Sequence, residues 1–196
     1  MKESRQNRRS FLMVVAILLL IATTDVSQAA ATTLLHMSLA QMARTAKVIV
    51  RARCVANATV WDEGEIWTRT TFDVEESWGG PPGSRQIAVR LLGGSLGSIT
   101  SHVSGIPRFQ PGEDLVLFLE ASPNGDFAIV SWQQGTFRIR QNAAMGAEIV
   151  EQDTASVLTY DPVSRRFEAA GIRAMALADF RSKVAAALGA SSSRKP

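Results

Sequence analysis

The chain has 196 residues, of which 46% are hydrophobic and 20% charged, and it carries a formal net charge of +3. That apolar content excludes a chain too polar to bury a core, and the single cysteine excludes an intramolecular disulfide, so apolar packing must hold the fold. The positive charge sits mainly at the start: loss of residues 1–29 would remove four basic and two acidic residues and leave +1, without the clustered Lys/Arg face that phosphate contacts need. Nucleic acid is therefore not expected as a partner.

Residues 1–30 read as a signal peptide, with a basic start (Lys2, Arg5, Arg8, Arg9), an apolar run from Phe11 to Ala22 and small residues around Ala29. The apolar run is too short to cross a bilayer core of about 30 Å as a helix, which takes about 20 residues. Cleavage near Ala29 to Ala31 is expected, giving a periplasmic or secreted product with no membrane span. Arg8-Arg9-Ser10-Phe11-Leu12 resembles a twin-arginine export signal, whereas the strongly apolar Ile17 to Ile21 fits export of an unfolded chain equally well. About 165 residues would remain, enough for one domain that buries roughly 70% of its unfolded surface.

In chain order, Ser38 followed by Gln41 forms a capping box that opens a short helix from about Leu39 to Thr45, with Leu35, Leu39 and Met42 expected on one face and Met37 stapled to Met42. From Lys47 the period becomes two: Lys47 to Val60 is a long strand, and Asp62-Glu63-Gly64-Glu65 is the turn of a hairpin. In the second strand Ile66, Thr68, Thr70, Phe72 and Val74 take one face, Trp67, Arg69, Thr71 and Asp73 the other. Trp78 is expected to share the Phe72 face. Cys54 alternates with Val48, Val50 and Ala52 and reads as a small buried hydrophobe. After Gly79 to Gly83 comes a strand from Arg85 to Leu92, with Ile87, Val89 and Leu91 inward.

The stretch Gly93–Gly112 has four glycines before Ile106 and no sustained period, so it is expected to be a long loop of the kind that often carries function. Leu115 to Leu119 is uninterruptedly apolar and should be a strand buried on both faces. Strands Phe127 to Trp132 and Thr136 to Arg140 follow, then two weak strands near Glu148 to Val150 and Val157 to Tyr160. A final helix carries Leu177, Phe180, Val184 and Leu188 and is expected to stop at Gly189, with a disordered tail from Ser191 to Pro196.

The order of short helix, Ala46-Lys47-Val48-Ile49-Val50-Arg51-Ala52, a hairpin with Trp67-Thr68 and Phe72-Asp73-Val74, then Phe109-Gln110-Pro111-Gly112-Glu113 running into Leu115 to Leu119 resembles a group of uncharacterised secreted bacterial proteins. More distantly it is similar to the OB-type barrel of netrin-like modules, which include the N-terminal domain of tissue inhibitors of metalloproteinases. The resemblance implies a mainly β fold: an OB-like five-stranded barrel over residues 31–140, with a short N-terminal helix and a C-terminal helical annex over 141–190 packed on it. It does not carry inhibitor activity, because those inhibitors chelate zinc through an amino-terminal cysteine and the expected mature start has none.

Among residues that could carry chemistry, His36 and His102 are the only histidines, and with Cys54 they lack any closed zinc-ligand spacing. No metal or other cofactor is expected. Ser101-His102 and Ser104 share the loop but match no nucleophile motif, and Gly93-Gly94-Ser95-Leu96-Gly97 lacks the Gly-Lys-Ser/Thr ending of a phosphate loop. Asp62, Glu63 and Glu65 read as a solvated hairpin tip, and Asp73, Glu75 and Glu76 as edge protection. Trp67, beside Arg69, is the best binding residue, with Arg69 its companion; the competing possibility is that Trp67 packs beneath the terminal helix. The function expected is therefore an exported non-catalytic binding or protein-interaction module, with an envelope or extracellular protein as partner. The alternative is a hydrolase with its site on the Gly93–Gly112 loop.

Overall fold

The structure is a computed structural model in which residues 34–143, 146–154, 158–168 and 171–192 are described. The expected signal peptide, 1–30, Val157, and residues 193–196 of the expected tail lie outside the described residues. The fold is mainly β, with a short N-terminal helix and a C-terminal helix.

A two-residue strand, β1 (Leu34–Leu35), precedes α1 (Leu39–Thr45). The capping box forms as its sequence dictates: the Gln41 amide donates to Ser38 Oγ at 3.3 Å, and the Ser38 amide donates to Gln41 Oε1 at 2.8 Å. Leu35 does not join the helix face, because it is drawn into β1 and is 61% exposed.

The long hairpin consists of β2 (Val48–Asp62) and β3 (Glu65–Gly79). Its turn residues Glu63 and Gly64 have φ of 51° and 82°, the mirror-image geometry whose twist matches that of the strands it joins and whose second position suits glycine. Three register shifts interrupt the ladder. Two of them place an extra residue on β3, Glu75 opposite the Arg51/Ala52 step and Trp78 opposite the Ile49/Val50 step. The extra residue at Glu75 overturns the face expected for Trp78. Val74 packs on the same side as Phe72, but Trp78 packs on the other side, 6.1 Å from the Phe180 ring.

Next come β4 (Gln86–Leu92), β5 (Gly94–Leu96), β6 (Ile99–Ser101), β7 (Asp114–Ala121) and β8 (Phe127–Ile129). The expected loop thus contains a small hairpin, β5 with β6, whose strands are too short to show a period. The expected strand Phe127 to Trp132 ends early, because Ser131 and Trp132 take φ of 50° and 53° and lead into a 3₁₀ turn over Trp132–Gly135. The chain continues with β9 (Thr136–Asn142), β10 (Ala147–Gln152), β11 (Thr159–Asp161), β12 (Arg166–Glu168), β13 (Met175–Ala176) and α2 (Leu177–Ser192). The last helix runs through Gly189 and does not stop there; a helical glycine costs only about 1 kcal/mol relative to alanine and is no barrier by itself.

The main sheet has the order β13-β10-β9-β7-β2-β3-β4-β8. β8 pairs with β7 as well as with β4, so the run β7-β2-β3-β4-β8 returns to where it began. β7 manages this by sharing one edge: Leu115 to Leu117 pair with β9, while Leu119 to Ala121 pair with β8. Its other edge pairs with β2. A separate sheet joins β1, near the start of the described residues, to β11 and β12, with β1 parallel to β11.

Two apolar clusters lie on opposite faces of this sheet. The inner one gathers Val50, Phe72, Val89, Leu115, Leu117 and Leu119, among others; the outer one gathers Ile49, Val116, Phe118, Phe137, Val150 and Phe180. Cys54 belongs to the inner cluster with Val48, Val50 and Ala52, as its alternation predicts, and burial raises its thiol pKa to about 11. No helix among the described residues is long and apolar enough to cross a membrane.

Because Leu117 and Phe118 are both fully buried on opposite faces, Leu117→Ala and Phe118→Ala should each destabilise strongly, by about 2–5 and 3–5 kcal/mol. Urea denaturation of the two variants measures this. The Cys54 thiol should react with a thiol reagent at pH 8 only at the rate of unfolding, since it is 1% exposed and held in the neutral form; labelling rates with and without denaturant check it.

Candidate functional site

Trp67 lies on β3 on the face opposite Ile66 and Thr68, and it is half-buried. The terminal helix is not what covers it. α2 sets Phe180 beside Trp78, Phe118 and Phe137, all members of the outer cluster, to which Trp67 does not belong. Instead the guanidinium of Arg90, on β4, stands over the Trp67 ring with its carbon 4.4 Å from the centroid. Asp62, at the end of β2, ion-pairs with Arg90 and fixes it there. A guanidinium over an indole contributes roughly 0.5–2 kcal/mol, more as water is excluded.

Arg69 does not share this arrangement. It pairs across the ladder with Arg90, and each arginine of the pair is neutralised by its own carboxylate. Arg69 donates through Nε and Nη2 to both oxygens of Asp126 at 2.8–3.2 Å, and this hydrogen bonding raises its pKa. Its side chain is 53% exposed.

Beside Trp67 opens a cavity of about 610 Å³, walled by Leu92, Ile106, Ile129 and Trp132, with Asp62, Arg90 and Asn124 at its polar positions. An apolar floor with a few fixed polar groups is the usual build of a small-ligand or anchor-residue site. Trp67 Nε1 is shielded from solvent and has no hydrogen-bond partner. The structure thus brings Trp67 to a cavity, leaves Arg69 off its wall, and puts Arg90 and Trp132 there instead. Trp132 turns in because of the left-handed residues at Ser131 and Trp132. The sequence signal for Arg90 was its inward-outward alternation with Val89 and Leu91, but pairing it with Trp67 needs the β3–β4 register.

A second, smaller cavity of about 330 Å³ lies under the β5–β6 hairpin, and Ser101 and His102 both line it. No Asp or Glu lines that cavity. His36 lies just ahead of α1, where its amide donates to the Tyr160 carbonyl at 2.8 Å. Among the described residues no group of three or more His, Cys, Asp or Glu could hold a metal ion.

Glu75 and Glu76 of the hairpin are engaged in ion pairs. Both approach Arg51, whose Nη2 also meets Asp114 at 2.5 Å and Glu148 at 2.8 Å, so that one arginine ties together β2, β3, β7 and β10. Asp73 accepts from Gln86 Nε2 at 3.0 Å, across the β3–β4 ladder. Trp61 is 56% exposed near the hairpin tip.

No protein-family model matches the chain, and no curated protein matches it.

Removing the exposed Arg69–Asp126 pair by Arg69→Ala should change stability by no more than about 1 kcal/mol. Trp67→Ala, which strips a half-buried ring from under Arg90, should lower it by about 1–3 kcal/mol. Thermal and urea unfolding of both variants test the contrast.

Proposed function

We propose that the protein is an exported, non-catalytic binding module of OB-like barrel architecture, which receives an apolar or aromatic group of its ligand in the cavity beside Trp67 and Trp132. The partner chemistry that fits is an envelope or extracellular protein offering such a side chain, with Arg69 and Asp126 as polar contacts outside the cavity. Export to the periplasm or beyond rests on the order of basic, apolar and small residues in 1–30. The barrel rests on the pairings of β8 with both β4 and β7, which leave five strands, β2, β3, β4, β7 and β8, without a break between them.

The observation that carries the binding role is Trp67 itself, which lines a cavity of about 610 Å³ while its Nε1 is withdrawn from water with no acceptor. Buried indole N–H groups ordinarily find a partner, and a small turn of the ring as a ligand enters would bring this one to a ligand carbonyl or hydroxyl. A hydrolase at the Gly93–Gly112 loop has less support, because the pocket there presents His102 and Ser101 without a carboxylate.

The immobilised protein should capture a component of the native envelope fraction, and Trp67→Ala or Trp132→Ala should weaken that capture by about 30-fold or more, the equivalent of about 2 kcal/mol for a central aromatic anchor. Circular dichroism must show both variants folded. Capture that is unchanged in folded Trp67→Ala and Trp132→Ala would remove this cavity from the binding role.

A further inference from the structure

The smaller cavity contains a charge without a counter-charge. Arg108, in the segment between β6 and β7, reaches into it and donates through Nη2 to the carbonyls of Leu92 and Ser101, both at 3.2 Å. Its Nη1 is shielded from solvent and has no hydrogen-bond partner. The other half-buried arginines among the described residues, Arg51, Arg90 and Arg138, all end on carboxylates. Burying a guanidinium without an acid is costly, and here burial pulls the pKa down with nothing to oppose it.

The surroundings are built to keep the guanidinium there. Gly93, with φ of 87°, leaves open the space that a Cβ would take from Arg108 Nη2, so even alanine would push the guanidinium aside. Around it stand hydroxyl groups and no acid: Thr59, Thr68, Thr100 and Ser101, with His102 at the exposed side. Thr68 Oγ1 is committed to the Gly93 carbonyl at 2.7 Å, and Ser95 Oγ lies 3.0 Å from Thr100 Oγ1. Such a set offers one positive fork and several neutral hydrogen-bonding groups.

We infer that this pocket binds a small hydroxylated carboxylate, with the Arg108 guanidinium as the counter-charge and the threonine and serine hydroxyls receiving the hydroxyl groups of the ligand. One guanidinium matches one carboxylate in charge, and with Nη2 held by two carbonyls it is Nη1, turned out of its shielded place, that would donate to the ligand. A dianion such as phosphate would be better matched by a second cation, and no other arginine and no lysine lines the pocket. The site is separate in its chemistry from the apolar cavity beside Trp67, although Leu91 borders both.

The test is titration of the ¹⁵N-labelled protein with D-glucuronate, with glucose as the neutral counterpart and inorganic phosphate as the alternative anion. Glucuronate should produce saturable shifts centred on the amides of Gly93, Ser101 and His102, and glucose should not. Arg108→Met should weaken glucuronate at least tenfold, and Arg108→Lys, which keeps the charge but loses the fork, should weaken it severalfold. Absence of saturable shifts would overturn the inference, as would undiminished affinity in Arg108→Met. If that variant fails to fold, Arg108→Lys decides: affinity equal to wild type overturns the inference. Saturation by phosphate with glucuronate silent overturns the assignment to a carboxylate.

Discussion

Everything in this fold leans on β7. Five consecutive apolar residues, Leu115 to Leu119, are all fully buried, and because side chains alternate along a strand they must be covered on both sides at once. Leu115, Leu117 and Leu119 bury against the strands of the long hairpin and β4; Val116 and Phe118 bury against β9, β10 and α2 through Phe137, Val150 and Phe180. At roughly 1.5–3 kcal/mol for each fully buried large side chain, neither layer is dispensable to the other. The terminal helix is thus bound to the same strand that the hairpin wraps.

The sharing of the second β7 edge between β8 and β9 is what creates the sites. β8 must stop at Ile129 so that the chain can cross to β9, and the 3₁₀ turn that makes the crossing presents Trp132 at the cavity beside Trp67. On the neighbouring side, β4 ends at Leu92 and the chain detours through β5 and β6 before returning to β7, which roofs the polar pocket with threonine and serine. Both cavities are consequences of how the strands meet at their ends. One is apolar with an aromatic wall; the other is polar with a single buried cation.

What the sequence makes legible is what period and capping control. The capping box at Ser38, the mirror-image turn at Glu63-Gly64, the burial of Cys54 and the two-faced strand at Leu115 to Leu119 all follow from local chemistry. Where tertiary pairing decides, the sequence says less. The strands β1, β12 and β13 have two or three residues and exist because a neighbour supplies hydrogen bonds, and the β5–β6 hairpin is equally short. Trp67 is identifiable as facing away from Phe72, but its partner Arg90 depends on the register of β3 against β4. The buried cation at Arg108 carries no sequence signature, because the absence of an acid around it is a property of space and not of spacing.

The two extra residues in the distal part of β3 have a further meaning. The first, Glu75, turns the side chains just beyond it to the opposite side of the sheet, which is how a single strand delivers Phe72 to one core and Trp78 to the other; the second, at Trp78 itself, restores the parity at Gly79. The segment Glu75 to Ser77 should therefore be less tolerant of a change of length than of a change of side chain. Deleting a single residue there would invert the parity and turn Trp78 from the Phe180 layer towards the Phe72 layer. In lineages carrying this fold, the number of residues between Phe72 and Gly79 should drift far more slowly than their identities.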